Sequence, residues 1–167
     1  TVVIEPLEKG FGTTLGNALR RVLLSSLQGT AITSIKINGV LHEFSTIEGV
    51  REDVTDIIMN LKNVTFNSKS NHTQKLSLNI KGPKEVLSSD FDENSEVEII
   101  DKDMVIMNVD SNREVNLEIF LDVNKGYISS EKNKDNENKS VGQMMLDSTF
   151  SPVKRVSFSV ENSRIGQ

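Results

Sequence analysis

The chain has 167 residues, with 24 Asp+Glu against 19 Lys+Arg and a formal net charge of −5. That length holds one large domain or two small ones, and the acidic balance argues against a freestanding nucleic-acid binder, which carries a basic face. The absence of cysteine excludes disulfides, thiolate metal sites and cysteine nucleophiles, and no run approaches the roughly 18 apolar residues of a membrane helix.

The extended run TVVIEPL breaks at Gly10, Phe11 and Gly12. Thr13 or Thr14 is then placed to cap a helix, because a hydroxyl accepts from the free N–H groups of a first turn. At about 100° per residue, Leu15, Ala18, Leu19, Val22, Leu23, Ser26 and Leu27 cover one broad side, which reads as core. Leu24 falls on the opposite side, between Asn17, Arg20 and Arg21. Two always-charged planar forks beside an isolated leucine suit a partner protein. A solvated face with one stray leucine is the bland alternative. Gly29 is expected to end the helix.

AITSIKIN alternates, with Ala31, Thr33, Ile35 and Ile37 on one face, and is predicted to be a strand. Asn38–Gly39 is a hairpin turn signal, so VLHEFS is predicted to return as a second strand. A helix is predicted from about Glu48 to Lys62. Its stripe is Val50, Val54, Ile57, Ile58 and Leu61, with Glu52 and Asp53 in the first turn and Lys62 at the end, as the helix dipole favours. The period then changes to two: Leu76, Leu78 and Ile80; Val97 and Ile99; Val105, Met107 and Val109; Val115, Leu117, Ile119 and Leu121. These are short antiparallel strands. SSEKNKDNENKS, from Ser129 to Ser140, is polar and predicted to be a loop. A short helix carrying Met144, Met145 and Leu146 is expected after Ser140, and KRVSFSV is expected to form a last strand.

Sites for chemistry are weak. Gly10, Gly12 and Gly16 are spaced G-x-G-x-x-x-G, not G-x-G-x-x-G, so a nucleotide-binding enzyme built on the Gly10–Gly16 turn is the lesser alternative. His42 and His72 are the only histidines. His42–Glu43 in a strand points to opposite faces, which separates base from acid. The acids Asp90, Asp92 and Glu93 lack calcium-loop spacing. Ser25 and Ser26 sit in a helix rather than on a nucleophile elbow. The first residues lack the layout of a signal peptide, so the sequons at Asn63, Asn71 and Asn138 carry little weight.

The runs LEKGFGTTLGNALRRVLLSS and NGVLHEFSTIEGVREDVTDIIMNLK, the pair Gly126–Tyr127 and the closing DSTFSPVKRVSFSVENSRIGQ resemble the N-terminal domain of the α subunit of bacterial and plastid DNA-directed RNA polymerase. The two ends carry the resemblance in letters, and 67–124 carries it in pattern. The resemblance implies an α+β fold. A small discontinuous dimerisation domain, 1–28 plus 153–167, would surround an inserted β-rich domain, 29–152. It implies a subunit without its own active site or cofactor, which dimerises and scaffolds assembly of the β and β′ subunits of a nucleotidyltransferase that transcribes DNA. DNA is then met only through the assembled complex, and the location is cytoplasmic, at the nucleoid, or plastid.

By position, the resemblance puts Leu15, Ala18, Leu19, Val22, Leu23 and Leu27 at a homodimer seam. Arg21 and Leu24 would face β, with Arg20 supporting, and His42, Glu43 and Ser45 lie nearby. Lys62 and Leu146 would lie toward β′. The family shows Val-Pro where Ile128–Ser129 stands here. It also continues past the position of Gln167 into a long helix, a linker and a DNA-binding domain. The sequence is therefore expected to be truncated or partial, with DNA binding through that last domain not expected of it.

Overall fold

The computed structural model describes residues 1–134, 140–153 and 155–162. Helix α1, Phe11–Ser25, begins where Gly10 takes φ +83°, a left-handed conformation that glycine adopts without a Cβ penalty. No side chain caps this end, and Thr13 and Thr14 lie inside the helix, which corrects the expected threonine cap. Strand β1 (Gln28–Ile37) follows, then α2 (Val54–Lys62), β2 (Phe66–Ser68), β3 (Gln74–Lys81), β4 (Lys84–Leu87), β5 (Val97–Ile99), β6 (Val105–Val109) and β7 (Glu114–Lys125). Past these lie β8 (Tyr127–Ile128), a short α3 (Ser130–Lys134), β9 (Met144–Met145) and β10 (Ser148–Thr149). The chain is α+β, mostly strands with few helices.

The main sheet has the order β3-β7-β1-β9. β7 pairs antiparallel with β1 from Gln28↔Lys125 to Ile37↔Leu117, and on its other side with β3 from Gln74↔Leu121 to Lys81↔Glu114. β9 adds to the outer edge of β1 through Ser34↔Met145 and Ile35↔Met144. Alternate residues of β3 and β7 are buried, among them Leu76, Leu78, Leu117, Ile119 and Leu121, as a period of two requires when one face meets the core, whereas β1 buries Ile32, Thr33, Ser34 and Ile35 in succession. The α2 stripe of Val54, Ile57, Ile58 and Leu61 closes onto this core. Three two-stranded pairs, β2–β5, β4–β6 and β8–β10, complete it. Every buried apolar side chain among the described residues lies between Ile32 and Phe150.

Several local expectations are corrected. The β1–β7 register slips between Ile32 and Ser34. This bulge leaves Thr33 outside the pairing, with its hydroxyl on the Asp122 carboxylate at 2.9 Å. Gly29 lies in β1 rather than at a helix end, and a Cβ there would run into the carbonyl of Phe150. VLHEFS does not return as a strand: Asn38–Gly39 turns, and residues 40–49 form bends and turns. The predicted helix from Glu48 starts only at Val54, because the Glu52 carboxylate instead accepts from the Asn108 backbone at 2.6 Å and its side-chain amide at 2.7 Å.

Met144–Met145 is strand, not helix, and the N–H of Leu146 donates to the carbonyl of Thr33. The polar 129–140 stretch opens with α3, since Asn133 is buried and donates to the Leu146 carbonyl at 2.8 Å; residues 135–139 of that expected loop lie outside the described residues. No strand is formed by 1–9 or by 155–160, and Lys154 lies outside the described residues.

Ile119 is 0% exposed at the centre of β7. Ile119→Ala is expected to lower unfolding free energy by about 2–5 kcal/mol in a denaturant titration. Val141→Ala, at a position 90% exposed, is expected to change it by less than about 0.5 kcal/mol.

Candidate assembly surface

Helix α1 has no buried residue. On its apolar side Ala18, Leu19 and Val22 are exposed and Leu15 and Leu23 are half-buried; Leu27, expected on the same flank, is exposed but lies past the helix end at Ser25. Phe11, one turn earlier, is also exposed. The tail covers only the first half of the helix: Val160 packs at Gly12 and Phe158 at Gly16, closely enough that a Cβ on either glycine meets the tail side chain. The Gly10–Gly16 stretch is therefore helix under a tail rather than an open phosphate-cradling turn, which corrects the nucleotide reading.

On the reverse side Arg20 and Arg21 are exposed and Leu24 is half-buried. Neither guanidinium has an acidic partner among the described residues. The Ser25 hydroxyl donates to the Arg21 carbonyl at 2.5 Å, closing the last turn beneath this edge. Charged forks left unpaired in water keep their full hydrogen-bonding capacity for a carboxylate brought to them.

A second exposed region is the loop between β1 and α2. Val40 and Ile47 are buried and anchor it, and the N–H of Val54 donates to the Ser45 carbonyl. Between these anchors His42 and Glu43 are exposed, with the His42 Nδ1 3.2 Å from the Ser45 hydroxyl. Leu41 and Phe44, 75% and 79% exposed, flank them. Sequence reasoning passed over this pair because a return strand would have turned one of the two inward. The signal was two large apolar residues bracketing His42–Glu43.

The third region lies at the end of α2. Lys62 is exposed beside a cavity of about 290 Å³, whose wall includes Ile32, Leu61, Phe66, Tyr127 and Asp147. Leu146 does not share this surface. It is 3% exposed, within the core of its own chain, so its side chain is not offered outward. Its neighbour Asp147 is the surface group there. The Ser130 backbone N–H donates to Asp147 at 2.7 Å. That bond, the Tyr127 and Ser130 hydroxyls and the Lys62 ammonium hold the Asp147 carboxyl below its ordinary value, against the partial loss of water. Partial desolvation and the Asp147 charge raise Tyr127 above the ordinary tyrosine value. Tyr127 and Asp147 were missed as site residues. The cue available was that Tyr127 is the chain's one tyrosine.

Residues 35–151 match the family model of the RNA polymerase Rpb3/RpoA insert domain, more than two-thirds of the chain. The chain belongs to this family. It is an α-subunit-type domain of DNA-directed RNA polymerase, and such domains work inside a nucleotidyltransferase complex. The match begins within β1 and ends one residue past Phe150, so it spans the buried core except Ile32, Thr33 and Ser34 and leaves α1 outside. No described helix of this polymerase domain is long and apolar enough to cross a membrane.

Tyr127 is the sole tyrosine in a chain without tryptophan, so ultraviolet absorbance of the phenolate reports on this corner alone. It is expected to ionise above about 10, the ordinary value, and Asp147→Asn is expected to move the curve part of the way down. For Asp147, a lowered folded pKa means that its hold on Ser130 is complete above the ordinary carboxylate value, about 4. The hold is lost as pH falls through the lower folded value. Protection of the Ser130 amide, measured relative to its intrinsic exchange rate, should therefore fall in acid in the wild type and stay constant with pH in Asp147→Asn.

Proposed function

We propose that this chain is the non-catalytic assembly scaffold of a DNA-directed RNA polymerase: it pairs with a second copy through α1 and holds the two large subunits, β and β′, on separate surfaces. Its place is then that of the enzyme, in the bacterial cytoplasm or in a plastid, and it meets DNA only through the complex. The observation that carries this reading is a 15-residue helix with an apolar flank and no buried residue. Exposed apolar stripes of this kind mark interfaces.

The stripe is self-complementary. Reflected about Leu19, Leu15 answers Leu23, and Phe11 answers Leu27. An antiparallel pair crossing at Leu19 sets Leu15 against Leu23 across the two-fold axis, as an isologous interface requires. Residues 1–28 and 153–167 form the dimerisation part in this reading, consistent with Phe158 and Val160 lying on α1. Residues 29–152 form the insert that meets the large subunits. On the reverse of the helix, Arg21 and Leu24, supported by Arg20, meet β, together with His42 and Glu43. The corner with Lys62 meets β′, with Asp147 as its surface group in place of the buried Leu146.

The reading predicts three separable losses in co-purification with the matching β and β′ subunits. Leu19→Asp should abolish dimerisation, read by sedimentation. Arg21→Ala or Leu24→Ala should leave the dimer intact and weaken capture of β by about 2–5 kcal/mol, the range for a desolvated contact at an interface centre. Lys62→Glu should leave the β-bound dimer intact and impair addition of β′. Arg21→Ala and Leu24→Ala proteins that fold, dimerise and still capture β normally would remove the arginine-edged patch from the proposal.

A further inference from the structure

Five elements meet around the cavity of about 290 Å³ beside Lys62: β1, α2, β2, β8 and β10. Its floor is apolar and belongs to the core, since Ile32, Leu61, Val64 and Phe66 are buried and line it. The walls are tied to one another. The Ser68 N–H donates to the Thr30 hydroxyl at 2.9 Å, which fastens β2 to β1. The Ser148 hydroxyl donates to the Ile32 carbonyl at 2.8 Å, which fastens β10 to β1, and β10 pairs with β8 through Thr149↔Tyr127. The hollow is therefore part of the framework of the fold. A preformed concavity that is mostly apolar, with a few polar groups at its rim, is the usual form of a small-molecule site.

The rim decides which ligand fits. The Asp147 carboxylate already accepts from the Ser130 backbone N–H at 2.7 Å and from the Ser130 and Tyr127 hydroxyls. Tyr127 thus gives its proton to Asp147, and Ser148 gives its own to Ile32. Lys62 differs from both. Its ammonium lies near enough to Asp147 for the two charges to interact, yet it forms no ion pair among the described residues. An ammonium offers three donors and no acceptor. The unused capacity at the rim is a cation set over an apolar floor. As the last residue of α2, Lys62 also compensates the helix dipole, but that role needs no hollow beside it.

We infer that this cavity binds a small organic monoanion, its apolar body resting on Ile32, Leu61 and Phe66 and its carboxylate meeting the Lys62 ammonium. The inference goes beyond the β′ reading of the same corner and does not need it. A charge-assisted hydrogen bond supplies direction, and the floor supplies area removed from water. Asp147 limits the charge of the ligand, because a second negative group would face a carboxylate across the rim.

The test is a titration of the full chain, without β or β′, with phenylpropionate. Tyr127 is the sole tyrosine in a chain without tryptophan, so its fluorescence reads the cavity, and backbone amide NMR shifts map the response. Binding should saturate, with shifts centred on the residues that line the cavity. Phenylpropanol keeps the body without the charge, and acetate keeps the charge without the body; each should bind at least about tenfold more weakly. Lys62→Gln should weaken phenylpropionate by about tenfold or more and remove its advantage over phenylpropanol. Asp147→Asn should tighten it, since a like charge is gone, whereas a ligand held by both rim charges would be weakened. No saturable response in the wild type, a Lys62→Gln chain that still prefers the anion, or weaker binding in Asp147→Asn overturns the inference. The large subunits are absent from the titration, so none of these results bears on the assembly reading.

Discussion

The double pairing of β7 is the constraint from which the rest of the molecule follows. Its residues 117–121 pair on both sides, with β1 and with β3, so the centre of the sheet satisfies its backbone through the two ladders. Val115, Leu117, Ile119 and Leu121 then point to one side, and α2 has a single apolar surface on which to lay its stripe. That docking sets Lys62 at the corner next to Tyr127 and Asp147. At the far end of the same register, Gln28 sits opposite Lys125, Gly126 accepts from the N–H of Phe150, and Gly29 passes beneath the Phe150 carbonyl. The chain therefore leaves for α1 and returns from the body at one crowded corner. A side chain at position 29 would force it open.

Burial divides the molecule unevenly. A globular surface helix usually recovers the entropy of its ordering by hiding its stripe, at about 25 cal/mol for each Å² taken from water. α2 does this, with four of its nine residues buried. α1 has a comparable stripe, of which Leu15 and Leu23 are half-buried and none is fully buried. The two helices differ in what covers them: α2 lies on the core of the body, whereas the side chains nearest Gly12 and Gly16 of α1 are the exposed tail residues Val160 and Phe158.

Local pattern was a good guide wherever local pattern decided the structure. The alternation of Leu76–Leu78, Val97–Ile99 and Leu117–Ile119–Leu121 became strands, and the Val54–Leu61 stripe became a buried helix face. It failed where a partner distant in sequence decided. Met144–Met145 has helix-compatible residues, but the free edge of β1 at Ser34–Ile35 takes them as a strand, a pairing more than one hundred residues away that no periodicity announces. Leu146 follows them into the core for the same reason. Residues 40–45 look like a returning strand after Asn38–Gly39, yet β7 already occupies the side of β1 on which they would pair. They become a turn, braced by Val40 and Ile47, and Leu41 and Phe44 are left in solvent. At α1 the helical wheel set Arg20 and Arg21 on an exposed side, but its reading of the Leu15–Leu27 side as core failed, since no residue of the helix is buried, and Leu24 on the reverse is half-buried.

Charge completes the division of labour. The chain carries five more acids than bases, and most of its ion pairs are solvent-exposed ones such as Arg51–Asp110 and Lys75–Glu118, which contribute little to stability. Arg20 and Arg21 stand apart from that pattern as cations without an acidic neighbour among the described residues. In water an unpaired guanidinium costs the fold almost nothing. Against a partner, the same group is either met by a carboxylate in bidentate geometry or left desolvated and unpaired, a penalty of several kcal/mol in the wrong complex. Apolar area on the flank of α1 can hold a surface of suitable shape with little discrimination, whereas the arginine pair on its reverse rejects a surface without acids. In the scaffold reading proposed above, specificity for a large subunit resides in these two charges and adhesion in the exposed flank.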